Sequence, residues 1–576
     1  MNIMNIFKYL LQITIISLLL VACNDDFFDK QPPGTASGNV MSTEKGVESI
    51  LIGAYKSLYG GDIFGGSAFD WEMGDMYSDN AGFGAQNAYH AVENYEVLAE
   101  NSYPRVLWSS AYSGVARAND VLNFLKLTKD IKSERAKQIE AEAKFIRAWQ
   151  HFKLQRVFWQ IPYIKTAEEL GDVDPASVPN DHPVWDEIEA DLQFCIDILP
   201  ENHIKNEPGR PTKYSAMAVK ARVHLFQNEY SDAKPLLDNI INSGKFKLVD
   251  NFYDNFRETT ENNEESIFEI QCNVGDVFGS SNTLKLTFLM HQNGPAGKGW
   301  GAFQPTQNLF EAYQVDENGF PILDEDLRDD IETDMGKTSS QEFIPTDHPL
   351  DPRVDWTIAR RGIPFLDWGV HAGASWIRSQ FHGGPYMTVK YMHYMANNST
   401  HGSGGGSSND RNFRAYRYAF ILLWRAEVAI EDGDLELARN LINQVRERAI
   451  NEVVMGKCTT YIFDGRPVEV NYNLPAANYK VSPYPTGHEA FSSKENARKA
   501  VRHELRLETA TEGHRFFDLR RWEIDDEVLN KYIEHDTKYR FIMKGYKYDP
   551  ELNDYWPLPQ DQLDIQPALK QDPSYE

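Results

Sequence analysis

Two stretches of the chain repeat one pattern, and this repeat constrains the fold more than any other feature. Each copy reads as an apolar helical segment, a short polar linker and a second helical segment, and the copies occupy residues 218–241 and 422–449. A small residue recurs with the same spacing of 12 positions in both copies, as Ala221 with Ala233 and Ala426 with Ala438. Small side chains let two helices approach closely, so each copy is predicted to form a helical hairpin.

This spacing resembles the tetratricopeptide repeat, a helical hairpin of about 34 residues. Such a hairpin buries its apolar stripe only against neighbouring hairpins, so several must stack. Helical periodicity in 108–125 and 134–159 predicts a further hairpin, and 46–59 reads as one more helix. The predicted fold class is therefore mostly α, with a scaffold of tetratricopeptide-repeat-like hairpins. The alternative is a set of unrelated helical hairpins.

Two long stretches lack helical periodicity. Residues 272–410 are rich in Gly, Pro, Trp and His, and 455–490 also show little periodicity, whereas 265–271 alternates like a β-strand. Long irregular segments on a rigid scaffold tend to carry function. We therefore expect a loop-rich, irregular ligand-binding face.

The N-terminus reads as an export signal. Residues 1–22 contain one charge, Lys8, and an apolar run shorter than the ~20 residues that a spanning helix needs. The boundary Leu-Val-Ala-Cys, ending at Cys23, resembles the lipobox of bacterial lipoproteins, in which the cysteine is acylated. The acidic residues that follow resemble the surface-export signal of Bacteroidetes lipoproteins. Residues 23–40 are therefore predicted to be a lipidated cysteine and a flexible tether; the alternative is a coincidental cysteine after an ordinary secretory signal.

The charge balance and the cysteines exclude several classes. Lys and Arg total 58 against 85 Asp and Glu, a net charge of -27, so no basic surplus is available to neutralise nucleic acid. The cysteines beyond the signal, Cys195, Cys272 and Cys458, have no CxxC spacing, which favours buried free thiols over disulfides or zinc. Neither HExxH, GxSxG nor an EF-hand loop occurs in the sequence. No cofactor, metal or catalytic residue is predicted.

The most specific motif lies near the C-terminus. Residues 502–522 read RHELRLETATEGHRFFDLRRW. This run closely resembles the signature of SusD/RagB outer-membrane lipoproteins. Three further segments match that family in its order, at 141–149, 417–427 and 556–575. Trp424-Arg425 departs from the Met or Tyr usual in the family, which we expect to alter local packing only.

The charged residues of this motif have helical spacing, which predicts ion pairs within the motif. They are Glu504, Glu508, Arg515, Asp518 and Arg520. Its aromatic residues are expected to pack the hairpins: Phe516, Phe517 and Trp522.

The resemblance implies a single SusD-like domain over 41–576, with an N-terminal part of about 41–240 and a C-terminal part of about 265–576. It implies a helical-hairpin scaffold whose loop-rich segments cover one face. It also implies a non-enzymatic lipoprotein of the outer membrane, exposed at the cell surface, that captures oligosaccharide or polysaccharide. Its implied partner is a SusC-like TonB-dependent transporter, to which the captured glycan is delivered.

The binding residues are predicted from composition, because the glycan contacts of the family lie in variable loops. A sugar presents flat C–H faces and a rim of hydroxyls, so a binder needs exposed aromatic rings beside polar side chains on loops. Two segments fit, 70–89 and 297–304, together with Trp376 in the later loop-rich stretch. The candidate glycan-binding residues are Trp71, Tyr77, Asn80, Phe83, Asn87, Tyr89, Trp300, Phe303 and Trp376. Core packing is the alternative for each aromatic residue.

Two other functions stay open at this point. A glycoside hydrolase on a helical scaffold would need two loop carboxylates about 5–10 Å apart beside an aromatic groove. A binder of peptide or another nutrient would use the same architecture for different cargo.

Overall fold

Helices dominate the structure, a computed structural model that describes residues 38–58, 72–84, 90–272, 294, 301, 303–390, 392–397 and 411–575. The predicted export signal (1–22) and Cys23 lie outside these residues. The longer helices are α1 (Glu44–Tyr55), α2 (Ser102–Leu127), α3 (Ser133–Gln155), α4 (Trp185–Ile198), α5 (Lys213–Phe226), α6 (Tyr230–Asn242), α7 (Tyr418–Asp432), α8 (Leu435–Ala449), α9 (Lys494–Thr509), α10 (Arg515–Arg521) and α11 (Asp525–Asp536). The shorter helices are Gly38–Met41, His90–Glu93, Ala167–Leu170, Gln307–Ala312, Val354–Thr357, Gln380–Gly383, Pro550–Asn553 and Gln560–Ile565. In the described part of the chain, no helix combines the length and apolar character needed to cross a bilayer.

The strands of the described residues are short and pair two by two, all antiparallel. The ladders join β1 (Ala81–Gly82) to β3 (Gln304–Pro305), β2 (Ser266–Ile270) to β6 (Phe413–Arg417), β4 (Ile358–Ala359) to β5 (Met387–Thr388), and β7 (Met455–Cys458) to β8 (Val470–Pro475). The strand predicted at 265–271 is β2. The mostly α fold class is confirmed.

The long helices form a continuous stack in which each packs on the next. Helices α2 to α7 contact one another in sequence, and α7 also contacts α8 and α9. The two predicted repeat hairpins are α5–α6 and α7–α8, and the predicted third hairpin is α2–α3. The alanines that carry the repeat spacing are completely buried, at positions Ala221, Ala233, Ala426 and Ala438. Among the described cysteines, Cys195 and Cys458 are buried free thiols and Cys272 is a half-buried one.

Local sequence signals set where the repeat helices begin and end. Thr212 and Ser215 form a capping box at the start of α5. The side chain of Asp434 accepts a hydrogen bond from the amide of Leu437 at the start of α8. Gly433 ends α7 with φ of 86°, a left-handed conformation that favours glycine. The polar linker of the second hairpin thus supplies the caps that separate its helices, whereas the capping box of α5 marks the start of the first hairpin.

The charged residues of α9 pair with other elements, so the prediction of ion pairs within the motif is wrong for them. Glu508 binds Arg353 (3.0 Å), Arg417 (2.6 Å) and Arg448, and Arg353 also binds Glu504 at 2.7 Å. The side chain of Glu508 is completely buried, and a buried carboxylate requires opposite charges around it. Burial alone would raise the pKa of Glu508, but the charges of the three arginines hold it well below its usual value.

One ion pair of α10 lies within the motif, as predicted. Asp518 binds Arg521 of the same helix at 2.8 Å, but it also binds Arg222 of α5 at 2.7 Å. Arg515 pairs with a residue outside the motif, Asp79, at 2.8 Å. Helical spacing permits pairs within the helix, but this helix is buried on most sides, so its charges also meet partners on other elements.

The aromatic residues of the motif pack as predicted. Phe516 and Phe517 are completely buried and Trp522 is nearly so. Arg520 lies over the ring of Phe516 and donates to the carbonyl oxygen of Arg156, which is backbone rather than a charged partner. The motif is therefore a structural element, in which rings and guanidinium groups join the C-terminal helices to the hairpin stack.

Candidate functional site

The pairing of β1 with β3 brings together the two segments in which binding residues are predicted. Gly82 lies opposite Gln304 in the ladder. Beyond the strands, the amide of Gly84 donates to the carbonyl oxygen of Gly301 at 2.8 Å. Two segments that are far apart in sequence thus meet at one place.

A third segment joins them there. A Cβ atom added to Gly383 would lie 2.8 Å from the Cα of Gly84, and one added to Gly301 would lie 2.8 Å from the Cβ of Arg378. These close approaches leave no room for larger side chains at the two glycines. We call this region the three-segment surface; it comprises residues 83–84, 301, 303–304 and 376–384.

The buried amide of Gln304 fastens the three segments. Its Nε2 donates to the carbonyl oxygens of Gly384 (2.7 Å) and Tyr386 (3.2 Å). A Cβ atom on Gly84 would lie 1.7 Å from the Oε1 of Gln304, so the amide occupies the space that a side chain would need. Glycine at position 84 is therefore required by packing against Gln304.

Tyr77 is buried, and the prediction that it offers an exposed ring is wrong. Its ring makes edge contacts with Tyr95 and Phe516, with centroids 4.9 and 4.7 Å apart. The segment that leads into Tyr77 is a short π-helix, Glu72–Met76, rather than an open loop. Its Gly74 lies directly on Gly513, because a Cβ atom there would be 2.0 Å from the Gly513 carbonyl oxygen. This contact places the π-helix and Tyr77 in the core.

Asn80 is buried for a related reason. Its Nδ2 donates to Asp75 at 2.9 Å and its Oδ1 accepts from Arg506 at 3.0 Å. The neighbouring Asp79 accepts two hydrogen bonds from Arg515, both of 2.8 Å, and lies 3.0 Å from Arg506. Both arginines belong to the C-terminal motif, so the same charges that build the core also fix the chain leading into β1.

Phe83 and Phe303 belong to the three-segment surface but support it from below. Both side chains are buried, with 2% and 6% of their surface exposed, so the prediction of exposed rings is wrong for them too. Phe83 makes an edge contact with His90 at 6.3 Å. Phe303 has φ of 55°, a left-handed conformation that costs a non-glycine residue about 1–3 kcal/mol. The surrounding contacts hold this strained residue at the point where the segments meet.

Trp376 is half-buried at the edge of the surface. Its ring makes edge contacts with Phe365 (6.2 Å) and His371 (5.1 Å). The remaining candidate residues lie outside the described residues, and their role stays a prediction: Trp71, Asn87, Tyr89 and Trp300.

Phe381 and His382 become candidate binding residues only in the structure. Phe381 is 53% exposed and lies beside the half-buried His382, with ring centroids 5.1 Å apart. His382 in turn lies 5.6 Å from the ring of His90. A signal was present in the sequence, because Phe381 directly precedes His382 and a Gly-Gly pair, a context that gives an aromatic ring little local support for burial. An exposed ring beside polar donors suits a ligand with flat apolar faces and hydroxyl groups.

Two groups of acids and histidines in the described part of the chain have the spacing of metal ligands. They are Glu189, His224 and Glu229, and Glu311, Asp330 and His535. Neither group belongs to the three-segment surface. In the first, the Nδ1 of His224 is already hydrogen-bonded to Glu229 at 2.7 Å.

Comparison with family models identifies the class of protein. The model of the SusD family matches residues 264–575, and a second model, described as starch-binding associating with outer membrane, matches residues 26–225. The chain therefore belongs to the SusD family, as the C-terminal motif predicts. Proteins of this family bind carbohydrate and are not enzymes.

Individual relatives agree with this assignment. SusD-like protein P2 of Formosa agariphila is 23% identical over 91% of this chain and 92% of its own length. A crystal structure of a SusD-like protein from Bacteroides fragilis is 22% identical, with a TM-score of 0.69 over 94% of this chain and 99% of its own. Surface glycan-binding protein A from Bacteroides thetaiotaomicron, solved with laminarihexaose, is 20% identical, with a TM-score of 0.65 over 92% of this chain and 99% of its own. These likenesses confirm the predicted SusD-like fold.

Replacing Asp79 by Asn is expected to reduce the loss of stability in acid. Burial alone would raise the pKa of Asp79, but Arg506 and Arg515 lower it from 3.8 to about 2. Because the folded pKa lies below the unfolded one, Asp79 stabilises the fold above pH ~4, and this stabilisation, about 2 kcal/mol, is lost as the pH falls to ~2.

Urea unfolding of the soluble chain at several pH values between about 2 and 5 measures this effect. The slope of the unfolding free energy against pH counts the protons that the chain takes up on unfolding. In this pH window the slope of Asp79→Asn should be smaller than that of the unsubstituted chain by nearly one proton. A slope equal to that of the unsubstituted chain would contradict the role given to Asp79.

Proposed function

We propose that this protein captures oligosaccharide or polysaccharide at the cell surface and holds it without breaking bonds. Membership of a carbohydrate-binding family supports the proposal, as does the fold shared with a protein solved with laminarihexaose. The observation that carries it is the three-segment surface, at which an exposed ring and half-buried polar side chains meet on a rigid backbone.

The chemistry of this surface suits a sugar. The exposed ring of Phe381 offers an apolar face on which the C–H face of a sugar ring can stack. The half-buried side chains of Trp376, Arg378 and His382 lie along the same segment and supply hydrogen-bond donors for hydroxyl groups. The backbone that carries them is held by Gln304, so little conformational entropy is lost on binding.

The charges beneath the surface favour capture over hydrolysis. A glycosidase needs carboxyl groups that reach the glycosidic bond as acid and as base or nucleophile. Glu93, which approaches Phe83 and His90 from below, is 1% exposed and forms an ion pair with Arg540. A buried carboxylate held by a guanidinium group is poorly placed to donate or accept a proton on a sugar.

We also propose that the captured glycan is delivered to a SusC-like TonB-dependent transporter in the same membrane. Acylation of Cys23 would hold the protein at the outer membrane, and the tether up to residue 40 would leave the domain free to cover the transporter. The lipobox-like boundary and the family description as associating with outer membrane support this part of the proposal.

Titration calorimetry of the soluble chain from residue 24 tests capture and locates it. The panel contains laminarihexaose, other neutral and acidic oligosaccharides, and peptides. We expect a saccharide to bind, and Phe381→Ala and Trp376→Ala to weaken it about tenfold each because each loses stacking area, a change of about 1.4 kcal/mol. Trp159→Ala is the matched control, since Trp159 is 43% exposed and contacts Tyr555 instead.

Three results would contradict this account. Release of reducing ends during incubation would make the protein a hydrolase. Binding of peptides alone would make it a carrier of different cargo. Unchanged affinity in both Phe381→Ala and Trp376→Ala would move the binding site away from the three-segment surface.

Replacement of Cys23 by Ala tests the anchor in the native host. We expect the variant to lose incorporation of labelled fatty acid and to leave the outer-membrane fraction, because the thiol that carries the lipid is gone. Purification of the unsubstituted protein from detergent-solubilised membranes should recover a TonB-dependent transporter with it. Full retention of the variant in the membrane would show that the anchor lies elsewhere.

A further inference from the structure

We propose that Arg540 and Glu93 form the positioning pair of the three-segment surface. Neither side chain is exposed to ligand; together they set how the segments of the surface lie relative to one another. The inference rests on the proposed function, because it concerns the affinity of this surface for saccharide.

Arg540 contacts the third segment, β1 and Glu93 with one guanidinium group. Its Nε donates to the carbonyl oxygen of His382 at 2.7 Å, and its Nη1 donates to the hydroxyl of Tyr532 at 3.1 Å. Its Nη2 binds Glu93. Gly82 of β1 lies directly on the guanidinium plane, since a Cβ atom there would be 2.4 Å from the Arg540 Cζ. The third segment and β1 are thus both placed by the same group.

Glu93 links Arg540 to the first segment of the surface, residues 83–84. Its Oε2 accepts a hydrogen bond from the amide of Phe83 at 3.3 Å and lies 3.3 Å from the Nδ1 of His90. An unbroken chain of polar contacts therefore runs from the His382 carbonyl through the two charges to the Phe83 amide. Phe381, the exposed ring, is the residue next to His382.

Because the pair is buried, each charge needs the other to offset the cost of removing it from water. Both side chains are 1% exposed. Burial lowers the pKa of Arg540 to about 9, and burial raises the pKa of the second nearby carboxylate, Asp536 (3.3 Å from Arg540), to about 7. Asp536 lies farther from the guanidinium group than Glu93 does, so Glu93 is the nearer counter-charge. Removing either member of the pair leaves an uncompensated charge below the surface.

Lysine cannot replace Arg540 in this role. A guanidinium group presents five donors in a planar fork, whereas an ammonium group is a single point with three. Arg540→Lys would keep the charge toward Glu93 but lose the simultaneous bonds to the His382 carbonyl and to Tyr532. The segment that carries Phe381 would then move relative to β1.

The test compares two variants with a matched control pair. Arg540→Lys and Glu93→Gln are expected to weaken saccharide binding about tenfold or more, with faster hydrogen exchange in 81–84 and 376–384. The control is Arg521→Lys and Glu427→Gln, which alter a buried pair of α10 and α7 with bonds of 2.6 and 2.7 Å. All affinities are measured at a temperature at which every variant is fully folded.

The control variants should lower the melting temperature at least as much as the site variants yet bind with unchanged affinity. A purely structural role for Arg540 and Glu93 predicts instead that affinity follows stability in all four variants, and that result would overturn the inference. Parent-like affinity in both site variants would overturn it as well while leaving the proposed function intact. A parent protein that binds no saccharide would contradict the proposed function itself, and the inference with it.

Discussion

The structure depends on a small set of carboxylates that are buried together with arginines. Glu508 of α9 is shared by Arg353 of the loop-rich part, Arg417 at the end of β6 and Arg448 of α8. Next to it, Glu512 binds Lys390 and Arg417, both at 2.7 Å. Loss of one partner from such a buried group costs about 3–5 kcal/mol, because the remaining charge is left without compensation. One cluster of charges therefore joins the irregular part of the chain to the helical stack.

The C-terminal motif, residues 502–522, also holds the candidate site in place. Arg506 and Arg515 follow Glu504 on the chain and hold Asp79, which leads directly into β1. The pairing of β1 with β3 then brings Phe83 and Phe303 together. A binding surface fixed in this way meets its ligand with little rearrangement, which suits capture without chemistry. The acids of the C-terminal motif are buried in the core and are therefore kept away from any bound ligand.

Much of the fold could be predicted from the sequence, because its signals are local or repeated. The spacing of Ala221 and Ala233 recurs in the second hairpin, and both hairpins form as predicted. Burial in the site region could not be predicted, since it depends on tertiary contacts. Tyr77 is buried because Gly74 lies on Gly513. No local sequence pattern predicts a contact between residues so far apart in the chain. Helical spacing likewise places Glu508 on one face of α9 but does not say whether that face meets water or arginines.

Hydrogen exchange of Glu508→Gln, resolved peptide by peptide, tests most directly whether the buried charges hold the loop-rich part on the hairpin stack. The account predicts faster exchange in 303–390 and around β1, while α2 to α6 keep the protection they have in the parent protein. The reason is that the variant weakens the junction between the two parts and removes no contact among α2 to α6. Equal acceleration throughout the chain, or none at all in 303–390, would contradict it.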